Sequence, residues 1–197
     1  MATLHIIVII TEMKKAQRKW KKISSKLIYQ NPWIKVWEDK VIRPDGKKGI
    51  YGFLEKPTGV FVIPYSPENK SIFLLQQNRY PIKKVIYEIP AGVITTKNYL
   101  AEAKRELFEE TGFRTKKWKY LGHFFVAPGH ETTDIKAYLA EINEVYDKKS
   151  NQEGDEAIQK IIEIEVKDLP NMIRQGKIEC GITLASLYLF FLQQKIA

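Results

Sequence analysis

From Asn31 onward, short apolar runs alternate with turn-forming polar residues, which is the pattern of successive β-strands. The stretch NPWIKVWEDKVIRPDGKKGIYGFLEK predicts two strands joined at Pro44-Asp45-Gly46, where proline presets the backbone angle and glycine takes a conformation that other residues avoid. GVFVIPYS and SIFLLQQNRY predict two more strands joined by the polar loop PENK, and KVIYEIPAGVI predicts a further short extended segment. The first half of the chain is therefore expected to be rich in β-structure.

The apolar period then changes to that of a helix. One stripe at helical spacing is formed by Leu100, Ala103, Leu107 and Thr111. Asn98 or Thr96 is suited to cap the start of this helix, and Gly112 follows its last periodic residue as a C-terminal glycine does. We therefore predict a helix between these caps.

After this helix, the pattern of apolar residues returns to that of β-strands. KYLGHFFVAP, IKAYLAEI and IIEIEV predict strands, and two helical segments are expected near residues 168–176 and 183–195. Mixed strands with helices packed on them indicate an α/β or α+β sandwich.

The amino-acid composition limits the domain organisation and the cellular compartment that can be expected. A chain of 197 residues with 44% hydrophobic content can form one sizeable core, or one domain with a smaller appendage. The single cysteine, Cys180, cannot form an internal disulfide or a cysteine-based metal cluster, so we expect a reducing, cytoplasmic compartment. The apolar stretch at residues 4–10 is far shorter than the roughly twenty residues that span a bilayer, so no membrane association is expected.

The formal net charge is +9, and much of the excess lies before residue 27. The segment MKKAQRKWKKISSK carries seven basic residues and no acidic one. We interpret it as a solvated, mobile arm. Contact with nucleic acid or an acidic partner is the alternative, because such segments attract phosphates non-specifically.

Against this positive charge, four carboxylates gather on the predicted helix. Glu102, Glu106 and Glu110 form one row along its axis, and Glu109 lies beside the lower end of that row. Arg105 can reach Glu102 and Glu109 but cannot neutralise the whole row. A divalent metal ion can, and hard oxygen ligands favour Mg²⁺, or Mn²⁺ as its alternative, over zinc. A solvated acidic face with an ordinary salt bridge explains the spacing equally well.

The sequence around this row resembles the Nudix hydrolase family from about Trp33 to the C-terminal helix. The family signature runs from a glycine through a glutamate to Arg-Glu-apolar-any-Glu-Glu-any-Gly-apolar, and residues 105–113 match its second half at every fixed position. In the first half, the interval from Gly92 to Arg105 is one residue short, and Lys97 or Asn98 stands where the glutamate falls.

The resemblance implies a Nudix-type α/β/α sandwich with a mixed sheet, preceded by a small antiparallel sheet. We expect a basic arm over residues 1–27, the N-terminal antiparallel sheet over residues 28–57, and the Nudix hydrolase domain over residues 58–197. The N-terminal sheet of the family commonly contributes to a two-fold dimer, so a homodimer is expected.

The resemblance also assigns roles in hydrolysis of a diphosphate. Glu106 and Glu110 are expected as the main Mg²⁺ ligands, with Glu109 as a further or water-mediated ligand. The backbone carbonyl of Ala91 completes the set, and Arg105 is expected to hold the carboxylates in place.

A general base should lie on a loop that closes over the substrate. The stretch Gln152-Glu153-Gly154-Asp155-Glu156 resembles the acidic loop that provides the base in ADP-ribose pyrophosphatases. Glu156 sits at the best-matching position and Glu153 is second. A merely solvated acidic loop is the alternative.

Substrate choice follows from QQNRYPIKKVIYEIPAG, which resembles a pattern of the ADP-ribose and nucleotide-sugar pyrophosphatase branch. Arg79 is then expected to contact the phosphates or the terminal ribose, with Glu88 supporting the same wall. Pro128, fifteen residues beyond Phe113, is at the position that marks the ADP-ribose group, although the residues after Pro128-Gly129 depart from the group's usual sequence.

Trp33 and Tyr51 are candidates for stacking on adenine, and core or interface packing is the alternative for both. The sequence thus predicts Mg²⁺-dependent hydrolysis of ADP-ribose or a related nucleoside diphosphate sugar. Two alternatives remain open. One is a Nudix hydrolase of a dinucleoside polyphosphate, a dinucleotide cofactor or capped RNA, and the other is a non-catalytic nucleotide sensor.

Overall fold

The structure is a computed structural model that describes residues 19–143 and 158–194. The chain divides into two compact units, Met1–Leu54 and Glu55–Ala197. In the N-terminal unit, three strands form a sheet in the order β1-β2-β3. Their bounds are Lys21–Gln30 for β1, Lys35–Ile42 for β2 and Lys48–Glu55 for β3.

The turns between these strands are stabilised by local hydrogen bonds. The Asn31 side chain accepts from the backbone N–H groups of Trp33 and Ile34, which fixes the connection from β1 to β2. Gly46 adopts a positive φ of 84° in the turn between β2 and β3, as the Pro-Asp-Gly sequence predicts. The two strands predicted around this turn are therefore confirmed.

The first strand corrects the sequence prediction. The sequence predicts a mobile arm up to residue 27, but residues 21–27 lie in β1, which pairs antiparallel with β2 from Lys21↔Ile42 to Gln30↔Lys35. Lysines are common on edge strands, where their charge discourages pairing with another chain, so a lysine-rich segment is compatible with an edge. Residues 1–18 of the predicted arm lie outside the described residues.

In the C-terminal unit, a mixed sheet of seven strands has the order β10-β5-β4-β9-β8, with β6 paired to β5 and β7 paired to β4. The strands are β4 Gly59–Ser66, β5 Ser71–Arg79, β6 Lys84–Glu88, β7 Ala91–Val93, β8 Trp118–Phe125, β9 Asp134–Glu141 and β10 Ile158–Glu165. β4 and β9 are parallel, and the remaining described pairs are antiparallel.

Helices cover both faces of this sheet. α1 is Tyr99–Thr111, α2 is Leu169–Arg174 and α3 is Gly181–Gln194, and short 3₁₀ turns cover Tyr80–Ile82 and Val166–Asp168. Successive residues of β4 point to opposite faces, so Val60 and Val62 pack with α1 while Ile63 packs with α2 and α3. The unit is thus an α/β/α sandwich, as the sequence predicted.

The two cores are well separated by the sheet. The core on the α1 side contains Val60, Val62, Phe73, Ala103, Leu107, Phe113, Tyr138, Ala140 and Ile142. The core on the other side is built around Ile63, Leu74, Leu121, Leu169, Leu187 and Phe190. None of the helices in the described residues has the length and apolarity that a bilayer crossing requires.

Candidate active site

Helix α1 is placed by caps at both ends and by its apolar stripe. The side chain of Asn98 accepts a hydrogen bond of 3.1 Å from the backbone N–H of Ala101, which confirms the N-cap. Gly112 has a φ of 74°, and its N–H donates to Phe108 O over 2.8 Å, so it ends the helix as predicted. Ala103 and Leu107 are fully buried against the sheet, which fixes the rotation of the helix about its axis.

This rotation buries the carboxylate row. Glu102, Glu106 and Glu110 are only 3%, 5% and 3% exposed. The Glu109 side chain is 25% exposed and lies at the margin of the row. An ordinary solvated acidic face would leave such groups in water, so the burial of these three carboxylates does not fit that alternative.

Two of these carboxylates lie against the short strand β7. The backbone N–H of Ala91 donates to Glu110 Oε2 over 2.7 Å. A Cβ atom added to Gly92 would come within 1.9 Å of the Glu106 carboxylate carbon. The Pro-Ala-Gly turn predicted as part of the metal site therefore does meet the carboxylates, and only glycine leaves room for Glu106.

Arg105 contacts three carboxylates at once. Its guanidinium lies 3.1 Å from Glu102 Oε2 and 2.5 Å from Glu109 Oε2, and it also pairs with Glu106. Burial lowers the pKa of Arg105, but the attraction of Glu106, Glu102 and Glu109 outweighs burial and raises that pKa above its ordinary value. These ion pairs are the contacts that the predicted holding role of Arg105 requires, and the role itself stays a prediction.

Glu102 is bound on both of its oxygens. Oε1 accepts from the Thr95 hydroxyl and the Thr96 backbone N–H, each over 2.9 Å, while Oε2 faces Arg105. Burial raises the pKa of Glu102, but these hydrogen bonds and the charge of Arg105 overcome it and lower the pKa to about 2. The sequence placed Glu102 in the acidic row without giving it a role. Its threonine partners could not be recognised before the loop was folded.

The side-chain and backbone atoms in this region that could coordinate an ion are oxygens, which suits a hard divalent cation. The gap at Gly92, into which Glu106 fits, is a specific feature of such a site rather than of a generic acidic surface. Among the residues that the structure describes, no three acidic, histidine or cysteine side chains form a group that could hold an ion as they stand. Arg105 neutralises Glu106 and Glu109 instead, so the assignment of Ala91, Glu106, Glu109 and Glu110 as ligands stays a prediction.

The two residues predicted to line the phosphate wall form an ion pair with each other. Arg79 Nε donates to Glu88 Oε2 over 2.6 Å, and the Glu88 side chain is only 8% exposed. Cys180 is half-buried nearby, and burial together with a hydrogen bond to Glu88 raises the pKa of its thiol. The structure thus brings Arg79 and Glu88 together, whereas contact with a substrate is untested.

Pro128 lies exposed in the connection between β8 and β9. This connection is attached to the start of the unit because Lys56 Nζ pairs with Glu131 Oε2 over 2.9 Å and the backbone N–H of Lys56 donates to Thr132 Oγ1. The Glu131 side chain is almost fully buried. Sequence reasoning did not find this attachment, because its partners are 75 residues apart.

The remaining predicted residues belong to the N-terminal unit or lie outside the described residues. In the N-terminal unit, Trp33 is 71% exposed, and Tyr51 is half-buried with an edge-to-face contact to Trp20 at 5.0 Å between ring centroids. The proposed bases Glu153 and Glu156 lie outside the described residues. All of these assignments stay predictions.

A cleft of about 330 Å³ opens on the outer flank of α1. It is lined by Lys104, Arg105, Phe108, Phe113, Arg114, Thr115 and Trp118. Arg105, which pairs with carboxylates of the row, also lines the cleft, but none of the predicted metal ligands does. The buried carboxylates, rather than this cleft, therefore define the candidate site.

The fold and this site define the class of the protein. The chain belongs to the Nudix family, because residues 55–179 match the family model of the NUDIX domain. It is a hydrolase acting on phosphorus anhydrides, and such enzymes generally use divalent metal ions. Residues 20–54 match a second family model, described as the nucleoside diphosphate sugar hydrolase N-terminal domain.

Curated relatives give narrower resemblances. An ADP-ribose pyrophosphatase of Bacillus subtilis (strain 168) is 29% identical over 160 residues, covering 80% of this chain and 85% of its own. A methanol dehydrogenase activator of Bacillus methanolicus is 30% identical over 180 residues, covering 89% and 95%. A GDP-mannose pyrophosphatase of Yersinia pestis (strain Pestoides F) is 26% identical over 142 residues, covering 68% and 70%.

A solved structure described as an ADP compounds hydrolase supports the fold. It superimposes with a TM-score of 0.79 over 93% of this chain and 100% of its own, at 15% sequence identity. Because the identity is low, this likeness concerns the fold alone.

Proposed function

We propose that the protein hydrolyses the diphosphate bond of ADP-ribose or a related nucleoside diphosphate sugar, with Mg²⁺ as the cofactor. The products would be a nucleoside monophosphate and a sugar phosphate. The observation that carries the proposal is the buried row of Glu102, Glu106 and Glu110, two members of which lie against the Ala91-Gly92 strand. The resemblance of residues 20–54 to a nucleoside diphosphate sugar hydrolase domain supports the substrate class.

The carboxylates suit a reaction in which negative charge is the main obstacle. A diphosphate repels an attacking hydroxide, and divalent ions supply neutralisation of its oxygens and activation of the attacking water. Glu106, Glu109, Glu110 and the carbonyl of Ala91 would hold them. Mg²⁺ is proposed because all of these ligands are oxygens, and Mn²⁺ is the natural alternative.

The other proposed roles belong to residues outside this ligand set. Arg79, held by Glu88, would bind a phosphate or the terminal ribose, since a guanidinium can present paired donors to such groups. Pro128 would shape the sugar side of the site, and Trp33 and Tyr51 would stack on the base. Glu156, or Glu153 in its place, would accept the proton of the attacking water.

We further propose that the protein is a homodimer. The N-terminal unit exposes an unusual number of large apolar side chains for its size. They are Trp20, Ile23, Leu27, Ile28, Tyr29, Trp33 and Ile50. Apolar surface gathered on one small unit is typical of an interface, and two-fold dimers are the commonest assembly of soluble enzymes. The cytoplasm is proposed as its location on the single cysteine in the sequence.

The test is a substrate panel incubated with Mg²⁺, with products identified by mass spectrometry. It would include ADP-ribose, GDP-mannose, a dinucleoside polyphosphate, a dinucleotide cofactor and capped RNA. We expect AMP and ribose 5-phosphate from ADP-ribose, or the matching pair from another nucleotide sugar. Reaction in ¹⁸O-labelled water then shows which phosphorus is attacked.

Two variants make the panel decisive. Glu110→Gln should reduce turnover by at least about 100-fold, because it removes a charge that a bound cation needs. Glu163→Gln is the matched control, since Glu163 is a carboxylate on β10 that accepts from Ser71 and Asn69 and is not one of the proposed ligands. Binding of nucleotide sugars without turnover, or full activity of Glu110→Gln, would contradict the proposal.

A further inference from the structure

Glu102 differs from the other carboxylates on α1 in how completely the protein binds it. Its Oε1 accepts two hydrogen bonds from the loop before the helix, from Thr95 Oγ1 and Thr96 N. Its Oε2 accepts from Nε and Nη2 of Arg105, over 3.3 and 3.1 Å. With a side chain only 4% exposed and both oxygens bound, Glu102 is a fixed negative charge beside the site rather than a ligand within it.

Arg105 is shared between this fixed charge and the proposed metal ligands. Its Nη1 lies 2.5 Å from Glu109 Oε2, and Nη2 pairs with both Glu102 and Glu106. A cation that coordinates Glu106 and Glu109 would compete with Arg105 for the same negative charge. It would also repel the guanidinium, so Arg105 needs another partner when the ion binds.

We propose that Glu102 is a positioning residue that retains Arg105 when a divalent cation takes over Glu106 and Glu109. By keeping the guanidinium paired, Glu102 lowers the free energy needed to release these two carboxylates to the ion. The inference rests on the proposed metal-dependent function. It assigns Glu102 a role in cation affinity, although Glu102 itself touches neither the ion nor the substrate.

The sequence gives this role a context. The interval before Arg105 is one residue shorter than in the family signature, and Lys97 or Asn98 stands at the position of its first glutamate. Glu102 precedes Arg105 by three residues, a spacing that brings two side chains together on one face of a helix. A carboxylate for Arg105 is thus supplied from within α1.

The experiment measures binding of Mn²⁺ to the full-length protein by calorimetry and by electron paramagnetic resonance, without substrate. Glu102→Gln is expected to weaken Mn²⁺ binding by about threefold to tenfold, the effect of losing one well-placed ion-pair partner. Glutamine is nearly isosteric with glutamate and can still accept from Thr95 and Thr96, so the variant should stay folded, although loss of the charge lowers its melting temperature. Glu163→Gln, which removes one negative charge from β10 and none from α1, should bind Mn²⁺ as the wild type does.

A second comparison distinguishes an effect of Glu102 that acts through Arg105 from direct electrostatic attraction between Glu102 and the ion. In an Arg105→Gln background, Glu102→Gln should change Mn²⁺ affinity by less than about twofold, since nothing remains for Glu102 to retain. If the loss is the same with and without Arg105, direct attraction is the cause and the proposal is wrong.

Thr95→Ala tests whether Glu102 acts only by holding the loop. This variant removes one hydrogen bond to Oε1 but leaves the charge beside Arg105, so it should lower the melting temperature while preserving Mn²⁺ affinity. Equal weakening by Thr95→Ala and Glu102→Gln would overturn the proposal. A wild-type protein that binds no Mn²⁺ would refute the metal site itself, whereas unchanged binding in Glu102→Gln refutes this inference alone.

Discussion

The absence of a side chain at Gly92 leaves the space that the Glu106 carboxylate occupies. Its position in β7 leaves Glu106 in the space where any other residue would place a Cβ, at 1.9 Å from the carboxylate carbon. Such a contact requires the Glu106 carboxylate, the strand or the helix to move. The glycine is therefore part of the arrangement of the site, not only of the turn before it.

We expect Gly92→Ala to reduce turnover on the order of 100-fold, because a shift of about 1 Å in catalytic geometry has this effect. The kcat of the preferred nucleotide sugar, measured with saturating Mg²⁺, is the quantity to compare. Gly181→Ala is the matched control, since a Cβ there meets nothing within 4 Å and α3 begins at this residue. Wild-type turnover in Gly92→Ala would show that Glu106 can move without consequence.

Glu102 gives a prediction on acid stability. Its pKa is lowered from 4.5 to about 2, so folding favours the ionised form. A lowered carboxyl pKa contributes stability that is fully present above the unfolded-state pKa and is lost as the pH falls through the folded-state value. The contribution of Glu102 should thus be complete above about pH 5 and disappear between pH 4.5 and 2.

Urea unfolding of the wild type and of Glu102→Gln over this pH range tests the effect. The difference in their free energies of unfolding should be largest near neutrality and shrink as the pH falls. A difference that stays constant across the range would mean that the charge of Glu102 does not stabilise the fold.

At the scale of elements, local sequence carries most of the information for α1. The stripe of Ala103 and Leu107, the Asn98 cap and the Gly112 terminus each act within a few residues, and all three appear in the structure as predicted. β4 and β5 were equally accessible, because each is a buried apolar run ended by turn residues. These elements depend on contacts that are near in sequence.

Other features could not be found in this way. β1 is rich in lysine, and its apolar residues do not alternate regularly with polar ones because its pairing with β2 contains register shifts at Lys22/Ser24 and Leu27/Tyr29. The local pattern therefore does not mark it as a strand, whereas its pairing with β2 does. The parallel pairing of β4 with β9, like the bond between Lys56 and Glu131, joins segments about 75 residues apart. Such contacts depend on the assembled sheet rather than on local pattern.

The N-cap of α1 provides a test at this scale. Asn98→Ala removes the acceptor of the Ala101 N–H and should lower the free energy of unfolding by about 1 kcal/mol, the typical effect of losing a cap. Chemical denaturation measures this difference. Asn98→Asp keeps the acceptor and should remain close to the wild type, and equal losses in both variants would show that the cap is not the cause.

For the whole molecule, the N-terminal unit raises the question of what covers its apolar side chains. All ten residues of β1 are exposed, including Ile23 and Ile28 at 55% and 51%. A second copy of the chain is the proposed partner. Its contact would remove this surface from water, which is the main driving force of association.

We expect Ile28→Asp to weaken the homodimer, because it replaces apolar area that the dimer would bury with a charge that must then be desolvated. Light scattering coupled to size exclusion, over a range of protein concentrations, measures the change. Ser24→Asp introduces the same charge on the same strand without removing a large apolar group. A wild-type protein that is monomeric at all concentrations would contradict the dimer.

The attachment of the loop between β8 and β9 has a practical consequence. One end is closed by the backbone bond from Val126 to Thr133, and Glu131 ties it to Lys56, while Pro128 and His130 project into solvent. Residues 128–130 at the tip therefore lie between the Val126–Thr133 hydrogen bond and the Glu131–Lys56 ion pair, and they can be exchanged as a unit. Exchange of residues 128–130 alone would test the proposed role of Pro128 in sugar preference while keeping the side chains of Lys56, Glu131 and Thr133.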